Sequence, residues 1–408
     1  MLFDPARHEP LRAPDWNEAA AREAIDWIVG DAIASFTPGR YWPAHPRDAE
    51  PGDDTTVPST SLYYGAAGMA WALRYLHDVG ATPRQFAIDF DRLSDDNRAW
   101  LRAGDSDDDG SYLMGELPIA LMAWADAPGP AREARLEALI ELTRDHPSRE
   151  LMWGAPGALL AASFLHEASG DVRWREHFRR IAAHLEGALE WSADHGCYHW
   201  TQDLYGHHCR YLDAVHGFVA TASVLIRGRH LLDADAWARW QARIVRLVAV
   251  SATHEDGWVN WRPELSAPAQ RPIRWLMQYC HGAPGFVVCL AQLPTRELDG
   301  LLLRAGDTVW HAGPLAKGAN LCHGTAGNGY AFLVLHARSG DTRWLERARA
   351  FAMHAIGQAR AEAQRVGHLR HSLWTGDVGL AIYLWDCLRG RAAFPTLDVF
   401  FGAPRRRV

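Results

Sequence analysis

The chain has 408 residues, 48% of them hydrophobic and 22% charged, which is enough apolar material for a large core and far too much for a disordered sequence. Forty-two Lys+Arg against forty-nine Asp+Glu leave a net charge of −7, and the longest basic block is Arg405, Arg406 and Arg407, so nucleic acid is not an expected partner. Charge or histidine interrupts every apolar run before the ~18 residues that a membrane span needs, and the N-terminus lacks the pattern of a signal peptide, so a cytoplasmic protein away from membranes is expected.

In chain order, residues 1–60 read as an N-terminal segment leading into a first outer helix, residues 61–390 as a repeat array, and residues 391–408 as a C-terminal tail. One short pattern recurs seven times: an aromatic or polar residue, Gly, two further residues, often a second Gly, then an apolar run. The instances are Tyr64-Gly65-Ala-Ala-Gly68, Met114-Gly115-Glu-Leu-Pro118, Trp153-Gly154-Ala-Pro-Gly157, His216-Gly217-Phe-Val-Ala220, His281-Gly282-Ala-Pro-Gly285, His323-Gly324-Thr-Ala-Gly327 and Thr375-Gly376-Asp-Val-Gly379. The runs after them, such as Phe286 to Leu293, are apolar nearly all round and predict helices buried on every side. Segments between them, such as Trp174 to Glu186 and Trp344 to Ala355, carry apolar residues at three- and four-residue spacing and predict outer helices with one buried face. Intervals of 50, 39, 63, 65, 42 and 52 residues between the first glycines each hold one outer and one inner helix. The predicted fold is all-α, an (α/α)₇ toroid of seven helical hairpins with the glycine loops gathered at one mouth. At those loops glycine is expected to supply turns with φ > 0 and close approach to neighbours.

Six cysteines (Cys197, Cys209, Cys280, Cys289, Cys322, Cys387) are too sparse for a disulfide framework, so they are expected as free thiols or ligands. Two repeats place Cys-His immediately before the glycine: Cys280-His281-Gly282 and Cys322-His323-Gly324. Consecutive loops of a closed ring are neighbours, so residues 42 apart can converge on one ion. Cys280, Cys322 and His323 make a donor set suited to one Zn²⁺, with a fourth tetrahedral position left open for chemistry. Other histidines, including His207, His208, His254, His311 and His371, have no spacing that builds a second metal site.

Tyr-Cys-His-Gly-Ala-Pro-Gly followed by Asn-Leu-Cys-His-Gly-Thr-Ala-Gly-Asn-Gly-Tyr-Ala-Phe-Leu resembles the lanthionine synthetase C-like (LanC-like) family, and the likeness runs through all seven glycine motifs, from about Ser61 to Trp385. The resemblance implies an (α/α)₇ toroid and zinc held by Cys, Cys and His. It also implies Michael addition of a thiol to dehydroalanine or dehydrobutyrine: a peptide cysteine in the lantibiotic cyclases, glutathione in the eukaryotic-type relatives. The first motif is Cys-His-Gly where cyclases usually carry Cys-Tyr-Gly, and Leu276 stands where they carry Arg, which favours glutathione as co-substrate.

Carried onto matching positions, the resemblance makes His216 the acid that protonates the enolate, Glu150 the carboxylate that orients it, and Lys317 a carboxylate anchor for glutathione or a proton donor. Lys317 is also the only lysine among the 42 basic residues, five positions before Cys322. His281 is either a hydrogen-bonding neighbour of the site or a packing residue. Glu116 is expected to face the same mouth. Three functions remain open at this level: a zinc-dependent thioether-forming enzyme acting on a thiol and a dehydroamino-acid peptide, whether by glutathione addition or as a lanthionine-forming cyclase; a metal-free glycoside hydrolase or epimerase on the same toroid, which the paired cysteines disfavour; and a non-catalytic zinc-containing scaffold that binds a peptide or protein.

Overall fold

Two kinds of helix start alternate along the chain. In the computed structural model, which describes residues 1–12, 14–48, 57–265 and 274–402, fourteen α-helices follow one another as seven outer–inner pairs. They are α1 (Glu18–Ala34) with α2 (Ala66–Asp78), α3 (Phe90–Ala103) with α4 (Leu117–Asp126), α5 (Pro130–Leu142) with α6 (Ala155–Ser169), α7 (Val172–Gly187) with α8 (Phe218–Arg227), α9 (Ala234–Ser251) with α10 (Ala283–Leu290), α11 (Asp299–Ala312) with α12 (Thr325–Ser339), and α13 (Thr342–Val366) with α14 (Asp377–Arg389). Five outer helices begin at Asn17, Asp89, Asp171, Asp233 or Asp341, whose side chains accept from first-turn amides, a cap worth about 1 kcal/mol each. Inner helices instead begin at the repeat glycine, or one residue after it at Glu116.

An inner helix with no side-chain cap must satisfy its first amides elsewhere. The preceding loop wraps under the helix and does so with its own carbonyls: Phe218, Val219 and Ala220 donate to Tyr211, Leu212 and Asp213, and Thr325, Ala326 and Gly327 donate to Gly318, Ala319 and Asn320. This tight wrap explains the glycines, and it corrects one expectation. Only Gly282 has positive φ (106°); the other N-cap glycines are extended. What they lack is room, since a Cβ at Gly154 would stand 1.9 Å from the Ser148 carbonyl oxygen and one at Gly217 2.0 Å from the Asp213 nitrogen; inside α12 a Cβ at Gly327 would stand 1.7 Å from the Leu321 carbonyl oxygen.

The inner helices pack side by side in the order α2, α4, α6, α8, α10, α12, α14 and back to α2, and α1 closes the outer layer against α14 and α13. Inner helices are buried all round, as in α12 from Thr325 to Leu335, while the outer ones bury one stripe. At the mouth, six backbone bonds join successive loops: Tyr63 N to Leu113 O, Leu113 N to Met152 O, Leu151 N to Val215 O, Cys280 N to Cys322 O, Cys322 N to Trp374 O, and Trp374 N to Tyr63 O. The last of these ties the seventh loop to the first.

Three short antiparallel hairpins depart from the all-helical expectation: β1 (Glu190–Ser192) with β2 (Cys197–His199), β3 (Gln202–Leu204) with β4 (His207–Cys209), and β5 (Ala252–Glu255) with β6 (Trp258–Trp261). They occupy the two longest repeat intervals. Tyr205-Gly206 and Asp256-Gly257 turn the second and third hairpins with both central residues left-handed, the tight geometry that matches strand twist.

After α14 the chain turns into the bore of the toroid. Phe394 stacks on Tyr279 at 4.3 Å between ring centroids and also meets Tyr330 and Trp374, and Phe400 and Phe401 fill the far end against Phe164. Trp71 Nε1 and Tyr112 OH donate to the carbonyls of Phe400 and Thr396. The block of Arg405, Arg406 and Arg407 lies outside the described residues. Among those described, no helix is long and apolar enough to cross a membrane.

Candidate metal centre

The mouth loops share a device that sets their side chains. The residue four before the repeat glycine accepts a hydrogen bond from the backbone N–H of the residue just before it: Ser61 from Tyr64, Ser111 from Met114, Glu150 from Trp153, Asp213 from His216 and Asn320 from His323. Each loop is thereby pinned in one conformation, and the residue two before the glycine joins the ring of backbone bonds at the mouth. Cys280 and Cys322 both hold that position, so the bond between their backbones brings their side chains together.

Ligand atoms of Cys280, Cys322 and His323 lie within 4.8 Å of one another, the only such group of metal-ligating side chains among the described residues. Both cysteines are buried, and all six cysteines of the chain are free thiols. Tyr63 OH donates to Cys322 Sγ at 2.8 Å, and Gln278 Nε2 donates to Cys280 Sγ at 3.0 Å. The hydrogen bond from Cys280, which outweighs burial, together with His323 and Tyr63 holds the Cys322 thiol well below its ordinary range; the same contact, then burial, pushes Cys280 well above. Two soft thiolates and an imidazole are a donor set for Zn²⁺, and a divalent cation between them offsets the charge of both sulfurs. The residues present fit zinc.

The third and fourth loops carry carboxylates at the pinning position, and each reaches into the next loop. Glu150, fully buried, accepts from the amides of Met152 and Trp153 and lies 2.9 Å from Nδ1 of His216. Burial opposes protonation of His216, but the bond to Glu150, the charges of Glu150 and Asp213, and that of Cys322 outweigh it and raise the imidazole to about 9. Asp213, also fully buried, accepts from Val215 and His216 amides and places Oδ2 2.9 Å from Nδ1 of His281. Burial works against its ionisation, yet His281 and His216 hold its carboxyl below the usual range. The two imidazole rings stand 6.5 Å apart, centroid to centroid.

Lys317 sits at the exposed rim, and its carbonyl accepts from Arg47. Partial burial and then Arg7 lower its ammonium, with Cys280 and Cys322 acting the other way, so it shares the neighbourhood of the two sulfurs with Arg7 and Arg274. Arg7 also donates to Gln278 Oε1 at 3.0 Å, which links the N-terminal segment to the residue beside Cys280.

Glu116 does not face the mouth. It is buried and bridged by Arg98 of α3 and Arg135 of α5, because the N-terminus of α4 turns its side chain outward between the outer helices. Sequence reasoning passed over Tyr63, Gln278, Asp213 and Arg7. Tyr63 was detectable, since it holds the same repeat position as the two cysteines; Arg7 had no signal, because its approach depends on how the N-terminal segment crosses the rim.

A family model described as lanthionine synthetase C-like protein matches residues 47–399. A zebrafish (Danio rerio) protein, glutathione S-transferase LANCL1, is 27% identical over 388 residues, covering 86% of this chain and 87% of its own length. LanC-like protein GCL1 of Arabidopsis thaliana is 29% identical over 249 residues, 58% of this chain and 54% of that protein. The solved structure of nisin cyclase superposes with a TM-score of 0.60 at 13% identity, over 92% of this chain and 96% of that one, and shares the helical toroid.

Proposed function

The chain belongs to the lanthionine synthetase C-like family, and from that premise we propose that it is a zinc-dependent enzyme of thioether formation, adding the thiol of glutathione to dehydroalanine or dehydrobutyrine residues of a peptide or protein. The observation that carries this reading is the convergence of Cys280, Cys322 and His323 beside an imidazole held protonated by Glu150. A relative over most of the chain length bears the name glutathione S-transferase, which supports the choice of thiol.

Zinc held by the two cysteines and His323 would supply the substrate sulfur as a thiolate at neutral pH, where a free thiol of pKa ~8.5 is mostly protonated. Gln278 and Tyr63 donate to the ligand sulfurs and fix their positions. Thiolate addition to the β-carbon of a dehydroamino acid leaves an enolate, whose α-carbon must receive a proton. His216, charged at neutral pH and oriented through Nδ1, has a proton to give, and a positioned acid of this kind accelerates such a step by about 10²–10⁴-fold. Lys317, Arg7 and Arg274 surround the same space with positive charge, and glutathione carries two carboxylates for them.

The decisive experiment is incubation of the zinc-loaded protein with glutathione and a dehydroalanine-containing peptide, followed by mass spectrometry. Enzyme-dependent appearance of the glutathione adduct supports the reading. Zinc binding with no rate above the uncatalysed reaction leaves a peptide-binding scaffold, and ring closure of a cysteine-containing dehydropeptide without glutathione identifies a cyclase.

A further inference from the structure

The far end of the toroid holds a cavity of about 800 Å³, walled by the last turns of α2, α4, α6 and α8 and by the bore-filling segment at Phe400 and Phe401. Its size is within the range of sites for small organic molecules. It shares no residue with the metal centre, which lies at the opposite end of the toroid, before the first turns of α10 and α12.

Three independent features give the cavity a sign. Four helices end at it, and a helix C-terminus carries partial negative charge. Of its four carboxylates, Asp126 is used by Arg74, Glu167 by Arg227, and Asp398 accepts from the Phe394 amide and from Gln292, while Asp78 has no ion pair among the described residues. Its aromatic walls, with Trp71 stacked on Tyr75 at 4.9 Å and Trp124 against Phe401 at 5.6 Å, present ring faces that attract cations. The cavity already uses this attraction once: the Arg227 guanidinium carbon lies 4.2 Å from the Phe164 ring centroid.

We propose that this cavity is a second ligand site, taking an organic cation with an apolar or aromatic body. Asp78 and the helix ends hold the positive group, and the rings hold the body. The assignment stands apart from the thioether-forming reading and does not depend on it.

The test uses dansylcadaverine, which joins a primary ammonium to a naphthalene body with sulfonyl oxygens, against dansyl pentylamide, the same body without the ammonium. Each is titrated into the zinc-loaded full chain and read by energy transfer from tryptophan. Expected are saturable one-to-one binding of the amine, at least tenfold weaker binding of the neutral dye, and no effect of Cys280→Ala. Asp78→Asn, an exposed change, should weaken the amine severalfold and leave the neutral dye alone. Absence of saturable binding, equal affinity for the two dyes, or wild-type affinity in Asp78→Asn would overturn the assignment.

Discussion

Replacing Glu150 with Gln isolates what the carboxylate does for His216. The change removes the charge and keeps one acceptor oxygen, enough for the amide of Met152 or of Trp153 but not both, since they bond different oxygens of Glu150. In the intact protein burial pushes the imidazole toward neutrality and Glu150 overrides it, giving a value of about 9, so His216 is almost fully protonated at pH 7.5. With the carboxylate gone, burial is opposed only by the charges of Asp213 and Cys322, and the imidazole falls toward its ordinary value of about 6.5, where about one-eleventh of the molecules are protonated at pH 7.5. Adduct formation, followed by mass spectrometry from pH 5.5 to 10, should therefore lose up to about tenfold at pH 7.5, and its alkaline limb should move from near 9 toward about 6.5. Stability gives a second readout. A histidine whose folded value lies above its unfolded one contributes stability fully below about 6.5 and loses it as pH rises through about 9. Raising an imidazole from 6.5 to about 9 corresponds to about 3 kcal/mol of preference for the charged form, so the intact protein should lose up to that amount between pH 6 and 10 and Glu150→Gln should not. An alkaline limb that stays near 9 in Glu150→Gln, together with an unchanged NMR titration of His216, would refute this account of the proton donor.

Cys280→Ala and Cys322→Ala should each lose most bound zinc by elemental analysis, since two remaining ligands hold the ion poorly, while far-UV circular dichroism stays helical because the core is built without the metal. His216→Asn should keep zinc and thiol binding yet lower adduct formation by about 10²–10⁴-fold; loss of zinc instead would make His216 a ligand. Arg7→Ala and Lys317→Ala should raise KM for glutathione far more than they lower kcat, and Lys317→Arg should be nearly silent if the ammonium only anchors a carboxylate; equal loss of kcat and kcat/KM would assign it a part in the chemistry. Gly327→Ala forces a Cβ to 1.7 Å from the Leu321 carbonyl oxygen and should cost about 3 kcal/mol in thermal denaturation, whereas Gly170→Ala, where no atom lies within 4 Å, should strain only its left-handed backbone and cost less.

The seven glycine motifs exposed the architecture because every inner helix needs the same crowded start, and crowding leaves one residue type possible. The Cys-His pairs exposed the metal group for a related reason, since equivalent positions in neighbouring repeats become neighbours in space. What stayed hidden arises from contacts between distant segments. Glu150 meets His216 across 66 residues, and Arg7 meets Gln278 across 271, so no local pattern encodes either contact. The hairpins were missed because their strands are only three or four residues long, too short for alternation to show, and the two longest repeat intervals were their one trace. Glu116 misled because a carboxylate next to a repeat glycine can turn either way, and only Arg98 and Arg135 on other helices decide which.

The segment that follows α14 also determines how matter moves through the ring. Phe394, Tyr279, Tyr330 and Trp374 are all fully buried where they meet, and Tyr279 is bonded in sequence to Cys280. The annulus is a cup and not a pipe. Anything that reaches the sulfurs enters and leaves by one opening, so product departs along the path by which the next reactant must come. A long polypeptide cannot be drawn through; it has to offer its reacting residue from an end or from a loop able to dip to the floor. Opening the base by trimming Phe394 to alanine would change traffic before it changed chemistry.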